Sequence, residues 1–341
     1  MGPWRIFALQ FSALRVEKES RGDQSVTSLT GRLSRALRGG RAGLILALFL
    51  LCLILSLVSP YFLTQRNLLN VLVQSSINTV LAVGMTFVII SGGIDLSVGS
   101  ALALTGVVMT VTAAGGVGAP AAMLLGTLTA LGLGGLNGLA VVRMKIPAFI
   151  VTLGTLSIAR GLAFVVAGGK TIQVPLSSLR WWGEGKLVGI PIPALMALAT
   201  VVVGHLALTR TVFGRHLLAV GSNERAALYA GIRTGQTKSA AYLISGLAVF
   251  LGALISIGRL GSADPIRGEG YELDAIAAVI IGGTSLMGGR GSVLGTLLGA
   301  LFIATLRNGL NLLDVITAWQ QVIIGSVIIA AVFIDQWRNR R

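Results

Sequence analysis

The sequence is poor in the residue types that build metal sites and disulfide frameworks. Its 341 residues include 1 Cys and 2 His, and only 11% are charged. Cys52 stands alone, which excludes a disulfide within the chain and a zinc site built from cysteines. His205 and His216 have no metal-ligating residue three or four positions further along, which makes a helical metal motif improbable. We expect no bound metal.

A complete nucleotide-binding motif is also missing. GGKT at 168–171 resembles the end of a phosphate-binding loop, but such a loop requires a glycine where this sequence has Phe164. No spacing of Ser, His and Asp suggests a hydrolytic triad, although such residues can be scattered along a chain. We therefore expect no catalytic residues, no cofactor and no enzymatic activity in this chain by itself.

Apolar and small residues are abundant instead. The chain is 54% hydrophobic with 46 Gly, and its mean hydropathy is +0.85. Its apolar runs approach the roughly 20 residues that a helix needs to cross a bilayer. Small residues allow membrane helices to approach closely where no hydrophobic effect drives them together. The composition predicts an all-α, polytopic integral membrane protein with tightly packed helices.

We predict about ten transmembrane helices, some of them broken or re-entrant. The predicted spans are 43–63, 67–90, 96–115, 119–141, 147–167, 191–209, 239–260, 273–288, 292–312 and 315–336. They leave a basic N-terminal tail at 1–42, a transmembrane domain at 43–336 and a basic C-terminus at 337–341. The span 273–288 is the most irregular, because GGTSLMGG at 282–289 shortens its apolar run.

The basic residues are concentrated on one predicted side of the membrane. The net charge is +15, which in a soluble protein would suggest nucleic acid. With the N-terminus in the cytoplasm, the cytoplasmic segments contain 19 of the 27 Lys and Arg residues, as the positive-inside rule requires. The charge therefore indicates topology, with both termini cytoplasmic, and no nucleic-acid partner.

The N-terminal tail has two open interpretations. Apolar and aromatic residues between Trp4 and Leu14 recur at helical spacing among basic side chains. This pattern is typical of a helix that lies on anionic membrane lipid. A frayed terminal segment explains the composition equally well, above all at 21–30.

A glycine-rich interruption separates the second and third predicted spans. SGGIDLSVGS at 91–100 contains Gly92, Gly93 and Ser97 around a single carboxylate, Asp95. Glycine permits non-helical backbone where it is buried or lines a cavity, and an intramembrane carboxylate is a functional candidate. We give priority to a capping role for Asp95 at the helix that begins near Leu96 over direct contact with a substrate.

A second interruption, at 282–292, is followed by another helix rich in small residues. Gly282 and Gly283 can be set against Gly92 and Gly93, which suggests a weak internal duplication of the kind found in transporters. These four glycines, with Asp95 and Ser97, are the candidates for pathway or hinge positions.

The longest predicted cytoplasmic segment between spans, 210–238, contains a short capped helix. Asn223 is a favourable N-cap and Gly231 a favourable helix stop. Between them, Ala226, Ala227 and Ala230 share one face with Asn223 at helical spacing. Such a small-residue face suits docking into the groove of another protein. An ordinary surface helix is the alternative, and the residues alone do not decide between them.

Four blocks of sequence together carry a family resemblance. They are GGIDLSVGS at 92–100, GYELDAIAA at 270–278, GGTSLMGGRG at 282–291 and NGLNL at 308–312. In this order they resemble the ribose-type permeases of bacterial ABC sugar importers, over residues 43–336. The resemblance implies a permease subunit of the inner (plasma) membrane that forms the translocation pathway by alternating access. It also implies a second permease copy, a cytoplasmic ATP-binding subunit and a periplasmic sugar-binding protein as partners.

The resemblance also implies roles for the candidate residues. The segment that matches the family's ATPase-coupling loop runs from Gly221 to Gly231 and includes Asn223, Glu224 and the alanines of the small face. The glycine interruptions become joints for alternating access, and Asp95 is not needed as a sugar ligand. Ribose is the first candidate sugar, with xylose, galactose or another small polyol equally compatible.

An ion-coupled secondary transporter of small polar solutes is the alternative to an ATP-driven importer. Such a protein relays ions through buried ionisable residues. Asp95, Arg160 and Arg307 lie within or near predicted spans. The two arginines are equally explained by ion pairing, or by side chains that extend to the membrane surface.

Overall fold

The computed structural model describes residues 40–339. The chain divides into two compact units, 1–47 and 48–341, and only residues 40–47 of the first unit are described. The predicted lipid-bound helix of the N-terminal tail therefore lies outside the described residues. Of the predicted C-terminal tail at 337–341, residues 337–339 continue the last helix and the final two lie outside.

The described residues form thirteen α-helices and four short strands. The helices are α1 (Gly40–Val58), α2 (Gln65–Ile90), α3 (Val98–Ala114), α4 (Ala119–Val142), α5 (Ala148–Ala167), α6 (Ser177–Glu184), α7 (Ile192–Arg210), α8 (Val212–Ser222), α9 (Glu224–Tyr229), α10 (Thr234–Leu260), α11 (Tyr271–Ile281), α12 (Val293–Leu312) and α13 (Thr317–Asn339). The strands are β1 (Ile172–Gln173), β2 (Lys186–Leu187), β3 (Ile190–Pro191) and β4 (Ser262–Ala263).

The helices confirm the predicted all-α polytopic membrane fold. Six of them, α2, α4, α5, α7, α10 and α12, are long and apolar enough to cross a membrane. Helix α3 and parts of α1 and α13 form shorter apolar helices of 10–17 residues. The predicted number of ten crossings stays a prediction.

The predicted span 273–288 is wrong in its extent. Its helix, α11, has 11 residues and ends at Ile281, which gives a length of about 16 Å at 1.5 Å per residue. That is about half of the hydrocarbon thickness of a bilayer. Residues 282–292 are not helical, so the expected break occurs at the first glycine pair of this block.

Helices α2 and α10 form the centre of the bundle. In their most apolar windows 83% and 72% of the residues are buried, against 17% in α5. The two helices pack closely because Gly84 faces α10: a Cβ placed on Gly84 would lie 2.7 Å from the Cβ of Ala248. Helix α5 has most of its surface free for lipid or for another chain.

Small residues also bring α4 against α10, as the composition predicts. A Cβ on Gly134 would lie 2.5 Å from the carbonyl oxygen of Tyr242, and one on Gly246 would lie 2.6 Å from that of Ala130. Real side chains do not tolerate such distances. The glycines therefore permit backbone contact between these two helices, the type of packing that stabilises membrane bundles.

Polar side chains join α2 to α12 at two levels. Asn67 and Asn308 exchange two amide hydrogen bonds of 3.0 and 2.8 Å. Further along, the hydroxyls of Thr86 and Thr296 lie 2.7 Å apart. Both pairs are buried, where each polar group needs a partner. These contacts fix the register of the two helices.

Two small antiparallel sheets cover the predicted outer side. Strand β1 pairs with β4, with Ile172 opposite Ala263, and so joins the α5–α6 connection to the end of α10. Strands β2 and β3 form a hairpin with Leu187 opposite Ile190. Val188, at the turn of this hairpin, is 94% exposed.

Candidate functional site

The two glycine interruptions end their helices in the same way. At the end of α2, the N–H of Gly92 donates to the carbonyl of Ile89 and the N–H of Gly93 to that of Val88. Gly92 has a φ of +83°, in the left-handed region that favours glycine. This is a Schellman motif, which satisfies the last carbonyls of a helix.

The end of α11 repeats this motif. The N–H groups of Gly283 and Thr284 donate to the carbonyls of Ile280 and Val279, and Gly283 has a φ of +86°. Gly283 is thus the counterpart of Gly92, and Thr284 that of Gly93. The predicted pairing of Gly92-Gly93 with Gly282-Gly283 is therefore wrong by one residue, because the left-handed position determines the correspondence.

The two interruptions contact each other. The N–H of Gly289 donates a 2.9 Å hydrogen bond to the carbonyl of Ile90, the last residue of α2. A Cβ on Gly288 would lie 3.1 Å from the Cα of Gly92. The sequence placed these segments almost 200 residues apart, and the fold joins them through backbone atoms.

The end of α8 packs onto this contact. A Cβ on Gly221 would overlap with the carbonyl oxygen of Ile90 and would lie 2.5 Å from the nitrogen of Gly289. The Ser222 hydroxyl donates a 3.4 Å hydrogen bond to the carbonyl of Gly289. We call this backbone cluster the glycine junction: it comprises Ile90, Gly92, Gly221, Ser222, Gly288 and Gly289.

Asp95 lies beside the first interruption and is 3% exposed. Its Oδ1 accepts hydrogen bonds from the backbone N–H and the hydroxyl of Ser97 at 3.0 and 2.6 Å. Its Oδ2 accepts one of 2.9 Å from the Ser245 hydroxyl on α10. Helix α3 begins at Val98 with Ser97 as its N-cap, so the predicted helix start near Leu96 is two residues early and Asp95 is not the N-cap residue. Its carboxylate accepts one backbone N–H within the described residues, that of Ser97.

The network around Asp95 extends to two more helices. The Asn137 amide, on α4, donates to the Ser97 hydroxyl at 2.9 Å and to Asp95 at 3.5 Å. The Thr155 hydroxyl, on α5, donates to the side-chain oxygen Oδ1 of Asn137 at 2.6 Å. Both oxygens of Asp95 are thus occupied by protein donors, which fits a buried tie between helices.

The short helix α9 begins and ends as predicted. The Asn223 side chain caps it by accepting a 3.0 Å hydrogen bond from the N–H of Ala226. At its end, Gly231 has a φ of +82°, and the N–H of Ile232 donates to the carbonyl of Ala227. Glu224 forms a 2.6 Å ion pair with Lys238 of α10, which ties α9 to a central helix.

The predicted small-residue face of α9 is covered at one of its four positions, whereas Asn223, Ala226 and Ala230 are exposed. Ala227 is only 5% exposed, so this alanine packs inside the chain and is closed to a partner. The large exposed apolar side chains of α9 are Leu228 and Tyr229, which are 58% and 88% exposed. A large exposed tyrosine beside a leucine is typical of a protein contact.

Helix α8 was not predicted, although the sequence carries its start signal. Thr211 caps it, its hydroxyl accepting a 3.2 Å hydrogen bond from the N–H of Gly214. The ring of Phe213 stacks on that of Phe87 in α2, with centroids 6.1 Å apart. Helix α8 therefore gives a rigid link between α7 and the glycine junction.

Three charged side chains in or near the predicted spans, Asp274, Arg307 and Arg160, have partners within the chain. Arg307 on α12 donates to both oxygens of Asp274 on α11, at 2.9 and 2.7 Å. Arg160 donates to the backbone carbonyls of Pro265 and Arg267. Asp274 lies inside a predicted span, and its charge was the signal that should have singled it out.

An acidic side chain lies in the predicted outer loop between α10 and α11. Asp264 accepts a 2.9 Å hydrogen bond from the N–H of Ile266 and another of 2.9 Å from the Thr171 hydroxyl. Together these two contacts hold the pKa of the Asp264 carboxyl below its usual range, and the hydrogen bond from the backbone N–H of Ile266 contributes most. Among residues 40–339, no group of three or more His, Cys, Asp and Glu side chains could hold a metal ion.

Comparison with known protein families assigns the chain to one of them. The family described as "Branched-chain amino acid transport system / permease component" matches residues 67–332. The chain belongs to this family. The match includes the glycine junction, the Asp95 network and helix α9. No solved structure is significantly similar to the chain.

Relatives with named substrates cover most of the chain. The ribose import permease protein of Bacillus subtilis is 44% identical over 305 residues, which is 88% of this chain and 94% of the relative. The D-allose transport system permease protein of Escherichia coli K12 is 39% identical, with coverages of 82% and 86%. The xylose transport system permease protein of the same strain is 34% identical, with coverages of 82% and 87%.

Proposed function

We propose that the chain is the permease subunit of an ATP-driven ABC importer for a monosaccharide, ribose or a similar sugar. The observation that carries this proposal is the 44% identity to a ribose import permease, which extends over most of both chains. The family description mentions branched-chain amino acids, but the relatives that match most of the chain are named for ribose, allose and xylose. A sugar is therefore the expected substrate.

The proposal includes the partners and the topology of the complex. The partners are a cytoplasmic ATP-binding subunit, a periplasmic sugar-binding protein, a second permease copy and membrane lipid. The chain lies in the inner membrane with both termini cytoplasmic, a tail at 1–42, a permease domain at 43–336 and a C-terminus at 337–341. The poorly buried surface of α5 offers an area for the second copy or for lipid.

Helix α9 is proposed as the docking element for the ATP-binding subunit. Support comes from its exposed Leu228 and Tyr229 and from the basic residues of its segment, which suit the cytoplasmic side. An apolar pair on a short capped helix fits a groove in a partner protein.

The glycine junction is proposed to carry a displacement of α9 to the membrane helices. Helix α9 is separated from α8 by one residue, Asn223, and α8 ends at the junction. Because backbone atoms are in contact there with no side chains between them, a shift of Gly221 must displace Ile90 or Gly289 as well. Packed cores respond to such shifts by switching between discrete arrangements. The junction thus supplies a joint for alternating access.

The test is uptake of labelled sugar by vesicles that contain the chain, its ATP-binding subunit and its binding protein. We expect uptake to require internal ATP and to continue after ionophores abolish proton and sodium gradients. Uptake that an imposed ion gradient drives without ATP would identify the ion-coupled alternative and overturn the proposal.

A further inference from the structure

An apolar groove lies at the surface of the bundle between α2, α7 and α10. Its volume is about 410 Å³. Of the described residues that line it, none is charged. Its one hydroxyl-bearing side chain, Thr200, donates a 2.8 Å hydrogen bond to the carbonyl of Met196 in its own helix. The small residues Gly84, Ala199 and Gly204 leave the depression between the helices. The groove therefore suits an apolar ligand.

The groove opens to the outside of the bundle. Two of its lining residues, Val203 and Leu247, are 66% and 45% exposed. Their helices, α7 and α10, are both long and apolar enough to cross a membrane, so these side chains face the hydrocarbon of the bilayer. Apolar atoms gain dispersion energy only where other atoms pack against them. An acyl chain or another protein therefore fills the groove.

The groove has the length of one membrane leaflet. On α7 its lining runs from Met196 to Ala207, which is about 17 Å at 1.5 Å per residue. Half of the hydrocarbon core of a bilayer is about 15 Å thick. Ala207 lies one turn before Arg210, the last residue of α7. An acyl chain from the leaflet on that side has the length to fill the groove.

Two cations lie at this end of the groove. Residues three or four positions apart share a helix face, so Arg210 continues the row of Val203 and Ala207. Arg215 belongs to α8, whose Phe213 stacks on the groove residue Phe87. Both arginines are exposed, and neither forms an ion pair within residues 40–339. The sequence has no acidic residue at 205–222. Basic side chains at a membrane surface attract anionic lipid headgroups.

The position of the groove favours lipid over a second copy of the chain. Helix α7 packs mainly on α2, whereas the poorly buried α5 packs mainly on α3 and α4. A second copy bound at α5 would leave the groove open to lipid. Two copies in one membrane have the same orientation, so a symmetric contact at the groove would set Arg210 of both copies at the same depth. Like charges repel there.

We infer that the groove is a binding site for an anionic phospholipid of the inner leaflet. One acyl chain lies along α7, and the headgroup phosphate binds Arg210 and Arg215. This inference goes beyond the proposed transport of sugar and rests on the proposed function only for the orientation, which places Arg210 on the cytoplasmic side. The chain lies against Phe87, one turn before Ile90 of the glycine junction.

The first test measures which lipid the purified complex retains. Native mass spectrometry counts the lipids bound after incubation with phosphatidylglycerol or with phosphatidylcholine of the same acyl chains. The wild type should retain phosphatidylglycerol at least about fivefold better, because basic residues attract its charge. Arg210→Gln combined with Arg215→Gln should remove this preference. Arg143→Gln, at an exposed cation after α4, is the control and should keep it. Equal retention of the two lipids by the wild type, or an unchanged preference in the double variant, would overturn the inference.

The second test locates the acyl chain. Phosphatidylglycerol with a photoactivatable diazirine near the end of one chain should label Met196 or Leu251, at the end of the groove remote from Arg210. Val203→Phe narrows the groove and should lower this labelling at least fivefold. The matched control is Val202→Phe, at an exposed neighbour that does not line the groove, and its labelling should equal that of the wild type.

Two results of this second test would contradict the inference. Labels spread evenly over the exposed surfaces of α4, α5 and α7 would show only the lipid that surrounds any membrane protein. In a Cys52→Ser background, a disulfide between the Val203→Cys residues of two copies would show that a second copy occupies the groove.

The outcomes also separate this inference from the proposed function. If the wild-type complex takes up no monosaccharide but keeps its preference for phosphatidylglycerol, the proposed function fails alone. If sugar uptake is normal and the lipid preference is absent, only the present inference fails.

Discussion

The backbone N–H of Gly289 donates a 2.9 Å hydrogen bond to the carbonyl of Ile90. This bond joins two helix interruptions that are far apart in the sequence, and Gly221 packs directly over it. An element on the predicted cytoplasmic side, a central membrane helix and a broken helix thus meet at one point. The predictions below test this junction and the contacts that surround it.

The exposed face of α9 should be needed for assembly. Tyr229→Ala and Leu228→Ala should each reduce recovery of the ATP-binding subunit with the purified permease at least about tenfold, because exposed aromatic and apolar anchors dominate interface energies. Co-purification in mild detergent is the measurement. Ala230→Ser, at the exposed residue that follows this helix, is the control. Full recovery with both alanine variants would show that the partner binds elsewhere.

Ala227 should behave differently from its exposed neighbours. Since this residue is buried, Ala227→Trp should lower the amount of folded permease in the membrane by overpacking, at a cost of about 1–3 kcal/mol. Thermal unfolding of the permease in detergent, without any partner, is the measurement. An unchanged unfolding temperature would mean that α9 does not pack against its own chain at this position.

Asp95 should stabilise the bundle. Asp95→Leu removes both carboxylate acceptors and leaves the hydroxyl donors of Ser97 and Ser245 without their acceptor, at a cost of about 1–3 kcal/mol for each buried group. Asp95→Asn keeps one carbonyl acceptor and should retain much of the folded protein and of the uptake. If Asp95→Asn abolished uptake at normal abundance, the negative charge itself would be required, as in an ion-coupled transporter.

The ion pair between Asp274 and Arg307 predicts non-additive effects on stability. Arg307→Leu alone leaves a buried carboxylate unpaired and should cost about 3–5 kcal/mol of the free energy of unfolding. The double variant Asp274→Leu with Arg307→Leu removes both charges and should recover most of that loss. Thermal unfolding of the wild type and of these two variants checks this, and equal losses in the single and double variants would contradict it.

The orientation in the membrane can be tested at two exposed positions. In a Cys52→Ser background, Val188→Cys should react with a membrane-impermeant thiol reagent applied from the periplasmic side. Tyr229→Cys should react only after the inner membrane is permeabilised. The two sites lie in loops that the positive-inside rule assigns to opposite sides. The reverse pattern of labelling would invert the predicted topology.

Local signals in the sequence predicted some parts of the site correctly. The helix stop at Gly231 and the cap at Asn223 depend on neighbouring residues only, so residue type and spacing were sufficient. Ala227 shows where such reasoning ends: the helical pattern places it on a small-residue face, but only the tertiary packing reveals that this position is covered by the chain itself.

The glycine junction could not be predicted for the same reason. The sequence indicated two flexible interruptions, and Gly221 as part of the coupling segment, but backbone contacts between distant segments leave no periodic signal.

Transmission through the glycine junction is the central claim, and the ratio of sugar transported to ATP hydrolysed tests it most directly. Gly289→Ala places a Cβ against Ser222, whereas Gly116→Ala has a similar positive φ and no neighbouring atoms, so it controls for backbone strain. In reconstituted vesicles, the account predicts that Gly289→Ala lowers this ratio at least tenfold with the complex intact, while Gly116→Ala leaves it unchanged. An unchanged ratio in Gly289→Ala would contradict the account.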